Sequence, residues 1–219
     1  DAIAIMKRRR IWTKAPASIR RHLQRGKRGD VSETPKPGAA RFRRVQHEII
    51  GNNETALVAA AQAAQRAGLR TVLFSTPLVG EASTAGKTFT ALAKRLSEGK
   101  GIVRRPYCIV AGGETTVTVT GRGKGGRAQE FAAAAACEIA GLHKIWVAAI
   151  GTDGIDGPTD VAGAVVSGST LDQAKRKGVN LRRALTQHNT YPALHALTSH
   201  IVTGPTGTNV NDLYLLLAL

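Results

Sequence analysis

Three polar runs rich in glycine, at residues 121–127, 151–160 and 203–212, each follow a short stretch that reads as a strand. Loops of this kind, repeated beyond strand ends, belong to α/β sheets, where ligands gather outside the carboxyl ends of the strands. The intervening segments fit that frame. Residues 56–67 are almost all alanine with Leu57 and Val58, Asn53 is placed to cap them as a helix, and Gly68 to end it in the left-handed conformation. Residues 70–74 then predict a buried strand, 83–96 a helix, and 107–111 a strand ending in Gly112, Gly113 and Glu114 after a loop around 99–101. Residues 115–120 alternate threonine with valine, as a half-exposed strand does. Residues 132–140 predict a helix too rich in alanine to be anything but closely packed. The pattern closes with a buried strand at 145–150, a short helix at 171–177 and terminal strands at 201–202 and 213–217.

With 219 residues, 42% hydrophobic and 21% charged, the chain has the profile of one ordinary globular domain or two small ones. No run approaches the roughly 18 consecutive apolar residues of a spanning helix. Cys108 and Cys137 lie in apolar surroundings and read as small buried hydrophobes in a reducing compartment, here the cytoplasm.

The net charge of +16 is concentrated at one end, since residues 1–50 hold 14 Lys and Arg against 4 Asp and Glu. A surface for nucleic acid or another acidic partner is one reading of that block, and a solvated basic helix face is the other. With 4% aromatic residues the chain lacks stacking platforms for single strands, so no specific nucleic acid is expected. The block opens with apolar residues and then Lys7 to Arg10, the reverse of a secretory signal. The spacing of Ile3, Met6, Ile11, Ile19 and Leu23 predicts a helix over residues 1–25, continuing from a longer parent chain. Pro35 and Pro37, with Gly38, mark an extended passage after it.

Each polar run has a chemical and a plain reading. In the first, Gly121-Arg122-Gly123-Lys124-Gly125-Gly126-Arg127, glycines would let backbone N–H groups approach a phosphate at a helix start, with Lys124 and Arg127 adding charge. It is neither a Walker A loop nor a dinucleotide fingerprint, and a water-exposed basic turn is its plain reading. The second run carries Asp153, Asp156 and Asp160, suited to a hard cation or a polar substrate, or to Asp-Gly turns alone. The third, rich in hydroxyls and amides, could serve a ligand or simply turn the chain.

The passages GGETTVTVT (112–120), GKGGRAQEF (123–131), GTDGIDGPTDVAG (151–163) and TGPTGTNVNDL (203–213), in this order, resemble the MOFRL domain that ends the glycerate 2-kinase family. Upstream, ETPKPG (33–38), IGNN (50–53) and GEA (80–82) resemble the last part of the family's N-terminal domain. The resemblance implies an α/β fold in which residues 1–104 are the C-terminal remnant of a Rossmann-like parallel-sheet domain and residues 105–219 an α/β MOFRL domain. It implies transfer of phosphate from ATP, with Mg²⁺, to D-glycerate, giving 2-phosphoglycerate, in a cleft completed by an N-terminal domain that this chain lacks. It carries a second label, hydroxypyruvate reductase, which some relatives bear. On this basis Arg127 and Lys124 meet the transferred phosphoryl group within the loop of Gly123, Gly125 and Gly126. Asp153 and Asp156 hold the metal directly or through water, and Thr206, Thr208 and Asn209 contact nucleotide or glycerate. Glu114 is a general base for the attacking hydroxyl or a support for the Gly112–Gly113 turn. Ala128 stands where the family usually has asparagine. His22, His47, His143, His188, His195 and His200 receive no role. Because a cation opposes the dipole at a helix start, removing Arg127 is expected to leave the melting temperature unchanged or slightly raised.

Overall fold

The computed structural model describes residues 1–74, 77–97 and 104–219, so the expected loop around 99–101 lies outside the described residues. By internal packing the chain divides into two units, Asp1–Glu48 and Ile49–Leu219.

The first unit holds helices α1 (Ala2–Arg8) and α2 (Ala17–Arg28) and a single 3₁₀ turn at Ala40–Phe42. The single helix expected over 1–25 is therefore two. Arg10 takes a positive φ of 56°, which ends the first, and Pro16 precedes the second as its N-cap. None of the residues in this unit is buried.

The second unit is built on one sheet. Helix α3 (Asn53–Arg66) leads into strand β1 (Arg70–Leu73), and β2 (Leu78–Glu81) into helix α4 (Ala82–Ser97). Asn52, not Asn53, caps α3, its side chain accepting from the Thr55 N–H at 2.9 Å. Then follow β3 (Tyr107–Thr116), α5 (Arg127–Glu138), β4 (Ile145–Gly151) and β5 (Gly163–Ser167). Three short helices, α6 (Thr170–Arg176), α7 (Leu181–Thr186) and α8 (Thr190–Ala196), lead to β6 (His200–Ile201) and β7 (Asp212–Ala218).

The sheet order is β1-β3-β7-β4-β5-β6, with β2 also pairing with β3. Among the described residues, parallel pairing is confined to β1 and β2 against β3, and every other pair is antiparallel. The expected α/β class holds, but the sheet is mixed rather than wholly parallel, because the last strand, β7, inserts between β3 and β4. The sheet also crosses the boundary expected at 104/105, since β1 and β2 lie before it and β3 after it.

Two strands expected at 107–111 and 115–120 are one, running through Gly112 and Gly113 to Thr116. Parallel β2 supplies the partner that carries the ladder past the glycines. Beyond it, the Thr118 N–H and hydroxyl both bond to the Glu81 carboxylate instead of to a strand, and the ladder stops.

Alternation along β3 divides the core. Cys108 and Val110 face α3 with Ala61, while Tyr107, Ile109 and Ala111 face the layer of α4 and α5. Residues 128–136 of α5 are all buried, as the alanine content predicts. Small residues permit this: a Cβ on Gly86 of α4 would stand 2.5 Å from the Phe131 carbonyl oxygen of α5. The aromatic chain Phe89, Phe131 and Tyr214 fills the layer, the last two stacked at 4.2 Å. Cys108 and Cys137 are free thiols, and burial pushes both up from the ordinary thiol range.

Candidate active site

Arg127 opens α5, and its guanidinium lies flat against one carboxylate. Its Nε donates to Asp212 Oδ2 at 2.7 Å and its Nη2 to Asp212 Oδ1 at 3.0 Å. The remaining nitrogen, Nη1, lies 3.3 Å from Glu114 Oε1. Exposure orders the three side chains: Asp212 is 1% exposed, Arg127 29% and Glu114 53%. Asp212 is thus a buried anchor and Glu114 a solvent-side neighbour. The hydrogen bond to Asp212 pushes the guanidinium even further up than its ordinary range, so it stays charged at any working pH.

Asp212 heads β7 and is held from several directions. The Tyr214 hydroxyl donates to its Oδ2 at 3.1 Å and lies 3.1 Å from the Thr115 hydroxyl. Asn53 Nδ2 donates to the carbonyls of Val210 (2.7 Å) and of Asp212 itself (3.2 Å). Burial and the nearby carboxylate push the Tyr214 phenol well up, so it acts here as a donor.

Asp156 caps a helix. It is 3% exposed, and its oxygens accept from the Ala128 N–H (3.0 Å), the Gln129 N–H (2.9 Å) and Gln129 Nε2 (3.0 Å). Burial raises its carboxyl, against the lowering effect of these bonds. The carboxylate therefore occupies the start of α5, where an anion would otherwise sit on the first free N–H groups. Backbone groups of residues 128 and 129 make the contact, so alanine at 128 suffices. Asp153 belongs to a different set, its Oδ1 accepting from the Ile155 N–H (3.1 Å) and its Oδ2 from Asn209 Nδ2 (3.2 Å). Among the described residues no group of three or more His, Cys, Asp or Glu is arranged to hold a metal ion. Of the two carboxylates expected at Mg²⁺, Asp156 closes the start of α5 and Asp153 the turn against Ile155 and Asn209.

The other expected residues are likewise occupied in building loops. The Thr206 hydroxyl donates to the Thr152 carbonyl (2.6 Å), the Thr208 N–H lies 3.4 Å from Thr206 Oγ, and Asn209 Oδ1 accepts from the Asn211 N–H (3.0 Å). The third run is thereby pinned to the second. The Lys124 backbone bonds to Asn189 Oδ1 and to the Tyr191 N–H, and its ammonium sits 4.2 Å over the Tyr191 ring, away from the partners of Arg127.

The glycines of the first run are explained by close packing. A Cβ on Gly123 would stand 2.3 Å from the Gln187 carbonyl oxygen, on Gly125 2.3 Å from Thr190 Oγ1, and on Gly126 2.3 Å from the Asp156 carboxyl carbon. Of the residues named from sequence, then, the fold brings together Arg127 with Glu114, Asp153 with Asn209, and Gly126 with Asp156.

Asp212, Asn53 in its bonding role, and the pair His188–Glu130 were missed. His188 Nδ1 lies 3.0 Å from Glu130 Oε2 and its Nε2 3.3 Å from the Thr120 hydroxyl. One sequence signal pointed to Asp212: an acid at the head of an apolar strand needs a partner once buried. A cavity of about 510 Å³ shares Asn53 with these residues and is lined also by Leu57, Val58, Leu73, Phe74 and Gly112 among others. Gly112 stands two residues before Glu114, so the cavity and the Arg127 edge share the C-terminal stretch of β3.

A mixed α/β sheet that fixes an arginine between two carboxylates at the end of β3 and the head of β7 has the architecture of α/β domains, in which ligands gather at strand ends. Residues 107–212 match the MOFRL family. The chain belongs to the glycerate 2-kinase family, aligning with the C-terminal half of its members. A glycerate 2-kinase of Pyrococcus horikoshii is 40% identical over 98% of this chain and 48% of its own length. A relative from Agrobacterium vitis bearing a hydroxypyruvate reductase name is 39% identical over 99% of this chain and 48% of its own. The crystal structure of a glycerate kinase from Thermotoga maritima superposes with a TM-score of 0.85 at 33% identity, over 100% of this chain and 50% of that one. The chain thus spans about half the length of the relatives it matches.

Proposed function

We propose that the protein containing this chain transfers the γ-phosphoryl group of ATP to the 2-hydroxyl of D-glycerate, releasing 2-phosphoglycerate and ADP. The observation that supports this reading is the Arg127 guanidinium, fixed on one side by buried Asp212 and turned at its Nη1 edge toward the half-exposed Glu114. Phosphoryl transfer asks a protein mainly for position and for neutralised oxygens. Arg127 supplies a rigid donor edge for the oxygens of the transferred group, where charge spreads in the transition state. Glu114, half exposed and 3.3 Å from Nη1, is the carboxylate in place to take the proton of the attacking hydroxyl. Lys124 and the hydroxyl-bearing third run hold neighbouring loops in place and make no phosphate contact in this reading.

ATP enters such a reaction as its Mg²⁺ complex, and no residue of this chain is assigned to that ion. A second domain, matching the other half of the relatives' length, would close the cleft. A cytoplasmic setting, where ATP is available and Cys108 and Cys137 stay reduced, accords with the free thiols. Among the described residues no helix is long and apolar enough to cross a membrane.

The test follows ADP release with D-glycerate and identifies the product by ³¹P and ¹H NMR. Glycerate-dependent ADP and a 2-phosphate ester are expected. Oxidation of NADH by hydroxypyruvate without ADP formation would instead favour the reductase label.

A further inference from the structure

Arg127 is an unfavourable residue type for a helix start. A cation there opposes the helix dipole, and its partner Asp212 is 1% exposed, so two charges are held where desolvation is expensive. A buried pair of this kind is weak evidence for stability, because apolar residues of similar volume would serve as well or better. Its geometry is informative in another way. Asp212 takes the Nε and Nη2 side of the guanidinium in an in-plane fork, which leaves the Nη1 edge as the only one turned toward Glu114.

Asp212 is itself held on several sides. It sits in the ladder with Gly113 on one side and Gly151 on the other. The Tyr214 hydroxyl fixes its Oδ2, and Asn53 Nδ2 holds its carbonyl from α3. The position of the Arg127 edge is therefore set by the central strand of the sheet, and the freedom of a long side chain is removed before any substrate arrives.

We infer that Asp212 is a positioning residue for phosphoryl transfer, acting through Arg127 by clamping its Nε/Nη2 side so that the Nη1 edge meets the transferred group. This rests on the kinase reading given above. Asp212 touches no substrate; its effect is exerted in the transition state, where a correctly aimed donor matters most.

A double-mutant cycle in the full-length protein tests it. Asp212→Asn keeps the shape and removes the charge. It should lower kcat on the order of 10²-fold while KM for glycerate stays within about threefold, the pattern of an interaction made mainly in the transition state. In an Arg127→Ala background the same substitution should lower kcat by less than about threefold, because nothing remains to be aimed. All rates are taken per folded molecule, well below the melting temperature of each variant. The unmutated protein gives a second readout, the ¹H–¹⁵N signal of Arg127 Nε–H, which should exchange slowly with solvent and should be lost in Asp212→Asn.

Equal kcat losses in both backgrounds, or a change confined to KM, overturn the positioning role. A rapidly exchanging Nε–H in the unmutated protein overturns it even if Asp212→Asn does not fold. Absence of glycerate-dependent ADP release from the unmutated protein overturns the kinase reading and this inference together, whereas turnover with additive effects removes this inference alone.

Discussion

Replacing Arg127 by alanine separates the two physical effects that act on a cation at the start of α5. If the helix dipole dominated, removing the charge would stabilise the fold by roughly 0.3–1 kcal/mol. In the structure the larger consequence falls on Asp212, which is 1% exposed and loses both charge-assisted bonds, at 2.7 and 3.0 Å, keeping only the Tyr214 hydroxyl. Breaking a buried ion pair by deleting one partner costs about 3–5 kcal/mol. Arg127 is 29% exposed, so water can enter the vacated space and part of that penalty is relieved. A loss of about 2 kcal/mol remains after relief by water and by the dipole. For a chain of this length that corresponds to a fall in melting temperature of about 4–8 °C. Scanning calorimetry at neutral pH reads it directly, and urea unfolding gives the free energy. The double variant Arg127→Ala/Asp212→Asn should recover most of the loss, because the stranded charge is gone. A melting temperature that is unchanged or raised in Arg127→Ala would refute the reasoning and restore the dipole as the governing term.

Two further outcomes follow from the same contacts. Gly126→Ala should destabilise the fold by about 2–4 kcal/mol in urea unfolding, because its Cβ would stand 2.3 Å from the Asp156 carboxyl carbon and push that carboxylate off the start of α5; a stable variant would mean that the loop has room for a side chain. Burial holds the Glu130 carboxyl above the ordinary range even with His188 beside it, so the folded chain binds this proton more tightly than the unfolded one. The stability it contributes is then full below about pH 4.3 and is lost as pH rises through the raised value. The difference in unfolding free energy between the unmutated protein and Glu130→Gln should therefore decline across that window, and a flat or rising difference would contradict it.

Much of the local structure was legible before the fold was known. The alanine run of α5 required close packing and found it, the buried strand at 145–150 stands as β4, and Gly68, at φ +80°, follows α3 where a left-handed turn was expected. These features depend on residues within one or two turns of each other, and periodicity encodes them. The polar runs were also placed correctly as loops, and their motifs were long enough to identify the family.

The sequence by itself did not determine what those loops do. Asp156 looked like a metal ligand and caps α5 from 27 and 28 residues away, while Arg127 looked like a free cation and is clamped by Asp212, 85 residues along the chain. Whether a carboxylate is a ligand or a cap, and whether a guanidinium is free or aimed, is decided by what the fold brings against it. Here that decision was made when β7 entered between β3 and β4, an antiparallel insertion that no run of residues announces because its pairing energy is shared among strands far apart in the chain. The sequence determined the pieces and where a site could lie; burial of Asp212 at the centre of the sheet determined which edge of Arg127 turns toward Glu114.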